Sequence, residues 1–162
     1  MQLTLHADYS LRVLLYLAED PDRCISTREI SEAYGISRNH LVRVIHTLHT
    51  SGFVKVSEGR NGGVRLSGKP AAINLGHVLR TTEPGFRIVE CFDPETNTCP
   101  IASACRLKGV LSTALAGFFS VLDNYSLADL AHTGRGAGIT KYLQIRKADQ
   151  GHSREPHPDA LP

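Results

Sequence analysis

Cys91, Cys99 and Cys105 fall within one fifteen-residue stretch. Thiols at that density point to metal or redox chemistry, and in a reducing compartment they are not expected to be disulfide staples. Cys91 and Cys99 enclose seven residues, and Cys99 and Cys105 enclose five. Zinc sites usually pair their ligands in tight Cys-x2-Cys turns, a spacing absent here. Looser loops can wrap a larger object, such as an iron–sulfur cluster bound by thiolates. Three local thiolates leave one iron in need of a further ligand. Zinc, and three ordinary thiols, remain the plainer alternatives, although Pro94, Pro100 and their polar neighbours make a poor core. Cys24 lies far from the other three and reads as a small apolar filler.

The elements that must carry this loop are legible upstream and downstream of it. Residues 8–19 place Leu11, Leu14, Leu15 and Ala18 on one helical face, and Asp20-Pro21-Asp22 ends that helix. Ser26 is a helix cap with Glu29 three residues on to reach back, and Ile25 with Ile30 forms a hydrophobic staple. Gly35 supplies a turn. Ser37 then caps a further helix with Leu41, Val44, Ile45 and Leu48 on its inner side, stopped near Gly52. Residues 53–56 and 64–66 read as strands around the glycine-rich loop GRNGG. Asn74 caps a short helix that Glu83-Pro84-Gly85 breaks. After the cysteine loop, residues 106–123 carry Leu107, Val110, Leu111, Ala114, Leu115, Phe118, Val121 and Leu122. That stripe is too broad for one small domain to cover, and a partner helix is the expected lid. Ser126 and Asp129 begin a short last helix.

The order describes a mainly α fold with a small β-wing: a winged helix-turn-helix plus a long dimerisation helix. Three regions follow: residues 1–70 as the DNA-binding domain, 71–133 as cluster-binding loop and dimerisation helix, and 134–162 as a flexible tail. Net charge is only +2 over 162 residues. Between residues 36 and 70, however, Arg38, Arg43, Lys55, Arg60, Arg65 and Lys69 face the single acid Glu58, an excess of five positive charges. Such an island is the footprint of a polyanion partner. A recognition helix offers its N-terminal and outward residues to the major groove, which assigns Ser37, Arg38, Asn39, His40 and Arg43 to DNA. Arg suits guanine edges, Asn suits adenine, and either can hold phosphate. Arg60 and Asn61 stand at the wing tip. An apolar dimer stripe implies a two-fold, palindromic operator on double-stranded DNA. No apolar run approaches the roughly 18 residues of a membrane span, and the opening MQLTLHADYS lacks signal-peptide character, so a cytoplasmic protein is expected.

At these residues the chain resembles the Rrf2 family of winged-helix regulators. The opening MQLTLHADYSLRVLLYLA, the wing EGRNGGVRL and the cysteine triplet carry the resemblance. Iron–sulfur-biogenesis regulators of the family have a histidine three residues after the third cysteine, where this chain has Lys108. The cysteine-metabolism branch lacks the triplet. The nitric-oxide-sensing branch is the most similar, and in it an aspartate of the opening helix, supplied by the other subunit, is the fourth cluster ligand. Asp8, in the segment HADYSLR, matches that position, with Arg12 one turn on to orient it and His6 as the competing ligand. The resemblance implies a cluster-loaded homodimer, of four-iron (4Fe–4S) or else two-iron (2Fe–2S) type, that represses its genes until nitric oxide arrives as the signal. Regulation by iron–sulfur supply, iron or redox stress is the runner-up. An iron–sulfur or thiol enzyme is less favoured, because no nucleophile–base pair stands out among the scattered histidines.

Overall fold

The computed structural model describes residues 2–59 and 62–131, together with 138, 139 and 143. Arg60, Asn61 and the 134–162 tail apart from those three positions lie outside the described residues. The elements run α1 (Leu5–Ala18), α2 (Thr27–Tyr34), α3 (Arg38–Thr50), β1 (Val54–Ser57), β2 (Gly63–Leu66), α4 (Leu75–Thr82), α5 (Arg106–Asp123) and α6 (Leu127–Ala131). The fold is mainly helical with one small antiparallel sheet, as expected.

Helix α1 begins three residues earlier than expected because Thr4 is its cap. The Thr4 hydroxyl accepts the Ala7 N–H at 3.2 Å, which puts Asp8 in the first turn. Thr4 is held in turn by Glu83, whose carboxylate accepts its N–H at 3.1 Å and its hydroxyl at 2.9 Å. The buried face of α1 also differs from the expected one. Val13, Leu14 and Leu17 are fully buried, whereas Leu11 and Leu15 only pack at the margin. The reason is that α1 is enclosed, touching α3, α4, α6 and β2.

Ser26 and Ser37 cap α2 and α3 as their sequence positions indicate, accepting the Glu29 N–H at 3.1 Å and the His40 N–H at 3.4 Å. The Glu29 carboxylate does not return to Ser26. It accepts from the Tyr16 hydroxyl at 3.1 Å and from Arg23 at 2.8 Å, tying α2 to α1. Gly35, at φ 68°, makes the turn between α2 and α3. Leu41, Val44, Ile45 and Leu48 are the buried residues of α3, as expected.

The wing pairs Val54 with Leu66 and Ser57 with Gly63, so β1 starts one residue later than expected. The Phe53 N–H is taken by the Leu48 carbonyl at 2.9 Å, which spends that residue on leaving α3. On the far edge of β2, Ile25 and Val64 exchange both backbone hydrogen bonds at 2.8 Å. Ile25 therefore faces the core, and side chains alternate along such a strand. Cys24 consequently points outward and is exposed, which corrects its reading as an apolar filler. A side chain at Gly62 would strike the Ser57 carbonyl oxygen.

Asn74 caps α4 through the His77 N–H at 3.0 Å and donates to the Asp123 carbonyl at 2.7 Å. The Leu127 N–H reaches the Ile73 carbonyl at 2.8 Å. These ties fold the chain's last described helix back, so that Leu127 shares one core with Leu14, Ile30, Leu41, Ile73 and Val78. A smaller cluster gathers Ala7, Leu79 and Phe119. There Phe86 meets Phe119 edge-on at 4.5 Å, and the Arg80 guanidinium lies 4.1 Å over the Phe119 ring while paired with Asp123. Among the described residues, no helix is long and apolar enough to cross a membrane.

Leu127 is fully buried, so Leu127→Ala should lower the unfolding free energy by about 3 kcal/mol. The expected reading is a lower urea midpoint at unchanged slope. An unmoved midpoint would place α6 outside the cooperative core.

Candidate functional site

Helix α3 presents a polar face to solvent. Ser37, Arg38, Asn39, His40 and Arg43 are all exposed, and Val42 and His46 share that face. The Ser37 oxygen accepts the capping bond yet keeps its own O–H, which remains available to donate. Among the described residues, no carboxylate lies within ion-pair distance of Arg38 or Arg43. A cation unclaimed by the protein is the kind that meets phosphate or a guanine edge. His49 is occupied differently: its Nδ1 lies 3.1 Å from the Val54 carbonyl, bracing the wing against α3.

The cysteine loop is organised by carboxylates that were not picked out from sequence. Cys91 sits in a short 3-10 turn, Glu90–Phe92. The Glu90 carboxylate accepts the Thr98 N–H at 2.6 Å and its hydroxyl at 2.7 Å. Glu90 precedes Cys91 and Thr98 precedes Cys99, so this clasp brings the two ends of the seven-residue gap together. Asp93, only 7% exposed, lies inside the loop. It accepts from the Thr96 hydroxyl at 2.8 Å and the Glu95 N–H at 3.2 Å, and it pairs with Arg87 at 2.6 Å. Asn97 accepts the Cys99 N–H at 3.1 Å. The Asp93–Glu95 and Asn97–Cys99 bonds are both the i to i+2 pattern of an Asx turn, a signal present in the sequence. Hydrogen bonds from Thr98 hold the Glu90 carboxyl below its ordinary value. The Thr96 hydroxyl, the loop N–H groups and the nearby Arg87 charge do the same for Asp93.

Cys105 is the N-cap residue of α5 and supplies no side-chain cap. The first-turn N–H groups of α5 are thus left facing the loop, a partial positive charge suited to an anionic ligand set. Cys91, Cys99 and Cys105 are all free and half-buried. As a donor set, three soft thiols on a polar loop at a helix N-terminus fit an iron–sulfur cluster. Among the described residues, no three His, Cys, Asp or Glu side chains are gathered into metal-binding geometry.

Asp8 is half-exposed on the first turn of α1. Arg12 grips it with two bonds, Nε to Oδ1 at 3.1 Å and Nη2 to Oδ2 at 2.6 Å. This expected i,i+4 pair is open to solvent and adds little stability. Its effect is to fix which way the carboxylate points. The same guanidinium lies 5.6 Å from the centre of the Tyr9 ring, and Tyr9 lies 6.0 Å from the His40 ring on α3. A line of contacts therefore joins Asp8 to the recognition helix. Tyr9 was not singled out from sequence, and only the packing of α1 on α3 reveals it.

Helix α5 contributes a face with no cover. Among its residues only Phe119 is buried, and Leu107, Val110 and Val121 are 61%, 63% and 58% exposed. With the exposed Ala114 and Gly117 between them, these residues fall at alternating spacings of three and four, the seam of a two-helix coil.

The profile of the Rrf2 family, described as an iron-dependent transcriptional regulator, matches residues 3–133. The chain is 50% identical over 131 residues to the HTH-type transcriptional regulator NsrR of Shouchella clausii (strain KSM-K16), covering 80% of this chain and 88% of that one. It is 50% identical over 148 residues to the HTH-type transcriptional regulator NsrR of Bacillus subtilis (strain 168), covering 91% of this chain and all of the relative. Among solved structures, it is similar to CymR (YrzC), the global cysteine regulator of B. subtilis. That match has a TM-score of 0.64 and 26% identity, and it covers 83% of this chain and 98% of that one.

The lowered carboxyls of Glu90 and Asp93 stabilise the loop above their ordinary values of 4.5 and 3.8. That stabilisation is lost as pH falls through the lower folded values. Glu90→Gln and Asp93→Asn proteins should therefore be less stable than the parent at pH 7. As read by urea unfolding across pH, the difference should shrink as pH falls below those ordinary values and through the lower folded ones. A difference that persisted in acid would remove charge from the explanation.

Proposed function

The chain belongs to the Rrf2 family of transcriptional regulators, and on that premise we propose that it is a nitric-oxide-sensitive repressor acting as a homodimer on palindromic operator DNA. Cys91, Cys99 and Cys105 would hold an iron–sulfur cluster, with Asp8 of the partner subunit as fourth ligand. The four-iron form is favoured over the two-iron form. When bound, the cluster supplies iron that reacts with nitric oxide, most easily where a hard carboxylate rather than a thiolate is the ligand. Everything else in the mechanism is work done by the chain.

The observation that carries this reading is the line from Asp8 through Arg12 and Tyr9 to His40. Arg12 aims the Asp8 carboxylate while leaving it lone pairs for a further partner. If Asp8 is engaged across the dimer, Arg12, Tyr9 and the start of α1 are held with it. If it is released, α1 can shift, and α1 is packed against α3, α4, α6 and β2. The two recognition helices then lose the separation that places them in successive major grooves. A ligand shifts such an equilibrium only by its differential affinity for the two arrangements. A tenfold loss of operator affinity needs about 1.4 kcal/mol, within the reach of one broken bridging contact. The uncovered seam on α5 supports the homodimer.

Anaerobically purified protein should contain iron and sulfide and release its operator on addition of nitric oxide. Asp8→Ala should change the visible spectrum and blunt the release, and Cys99→Ala should abolish the colour. Release by oxygen or iron chelation, but not by nitric oxide, would replace this reading with sensing of redox stress or iron. Iron-free, sulfide-free protein that still binds the operator tightly would end it.

Placing charge on the seam, as Leu107→Glu with Val110→Glu, should give a monomer by sedimentation. Loss of the second half-site should weaken operator binding about a hundredfold or more. A variant that stays dimeric would move the subunit contact away from α5.

A further inference from the structure

Between the first turns of α1 and the N-terminal half of α3 opens a cavity of about 190 Å³, lined by Leu5, His6, Tyr9, His40, Arg43 and Val44. One wall belongs to the recognition helix. The other belongs to the helix that carries Asp8. The geometry points to a phosphate seat: we propose that this cavity takes one backbone phosphate of the bound duplex in each half-site, with the adjoining deoxyribose against Leu5 and Val44.

The chemistry of the lining favours that occupant. Its polar groups are two imidazoles, a phenol and a guanidinium, and each can donate a hydrogen bond, since even a neutral imidazole carries one N–H. No carboxylate lines the cavity. The nearest in sequence, Asp8, is turned to Arg12 by two hydrogen bonds. Among the described residues, Arg43 has no ion-pair partner, so its charge is open to an anion. Leu5, 61% exposed, offers apolar surface in the cavity lining that a sugar face would cover. Arg43 lines the cavity and Asn39 is exposed one turn earlier on α3, so a phosphate contact by Arg43 and a base contact by Asn39 would fall in the same half-site.

This inference rests on operator binding and adds that α1 itself holds DNA. His6 and Tyr9 flank Asp8 on one helical turn. A shift of α1 would therefore unmake a DNA contact directly, besides altering the spacing of the recognition helices. Because phosphate contacts carry no sequence information, the seat would strengthen binding to every duplex alike.

The test uses the full-length anaerobic dimer, a duplex that it selects from random sequence, and copies of that duplex bearing one uncharged methylphosphonate at each position in turn. At one position per half-site, the substitution should weaken the parent about tenfold. The penalty at the same position should be smaller in a His6→Ala, Tyr9→Phe protein, which keeps His40 and Arg43, and that protein should bind selected and mixed-sequence duplexes more weakly by an equal factor. Tyr9→Phe alone keeps the ring packing and loses only the hydroxyl, so it serves if the double variant does not fold by circular dichroism. It should show a reduced penalty at the same position. A variant penalised like the parent at every position would overturn the seat while leaving operator binding intact. So would one that loses discrimination between the two duplexes, which would mark base contacts instead. A parent that selects no duplex would overturn operator binding, and the seat with it.

Discussion

Burial of α1 is the constraint on which the rest of the molecule depends. Val13, Leu14 and Leu17 have no exposed surface, and the helix is enclosed by α3, α4, α6 and β2. Close-packed interiors shift between discrete arrangements rather than deform smoothly. A helix packed in this way cannot slide at one end without repacking its neighbours. Its first turn is different in character: Leu5, His6, Asp8 and Tyr9 lie at or near the surface. The helix is thus a rigid element with one end, carrying Asp8, open to the surface.

The cysteine loop follows the opposite logic. It has almost no apolar core, and its shape comes from carboxylates satisfied by N–H and hydroxyl groups. Glu90 and Asp93 together take up Thr96, Thr98 and the Glu95 N–H, with Arg87 against Asp93. A loop held by polar bonds leaves its thiols free of packing duties.

What could be read from the chain was mostly short-range. Ser26, Ser37 and Asn74 each cap a helix through the N–H three residues on, a signal contained within four residues. The limits of α5 were equally plain, because its apolar stripe and its end beside Asn124 are local. The wing hairpin was recognisable from its glycines, and its first strand starts one residue later than expected because Phe53 is claimed by Leu48. The misses were set at long range. Thr4 looks unremarkable until Glu83, 79 residues later, closes on it. Cys24 looks apolar until Val64 turns Ile25 inward and leaves Cys24 facing out. Glu29 was placed in a reciprocal cap but is drawn away by Tyr16 and Arg23. For the site, the types of Cys91, Cys99, Cys105, Asp8 and Arg12 were readable, whereas Tyr9 as the link to α3 needed the packing of two helices.

The closing of Glu83 on Thr4 bears on how the chain folds. Helix α1 has its cap residue fastened by a side chain 79 residues later in the sequence, and its core face is completed by Leu127. Such contacts are non-local, and the loop-closure entropy between their partners opposes them until they form. Folding of α1 then depends on distant parts of the chain meeting rather than on local contacts alone.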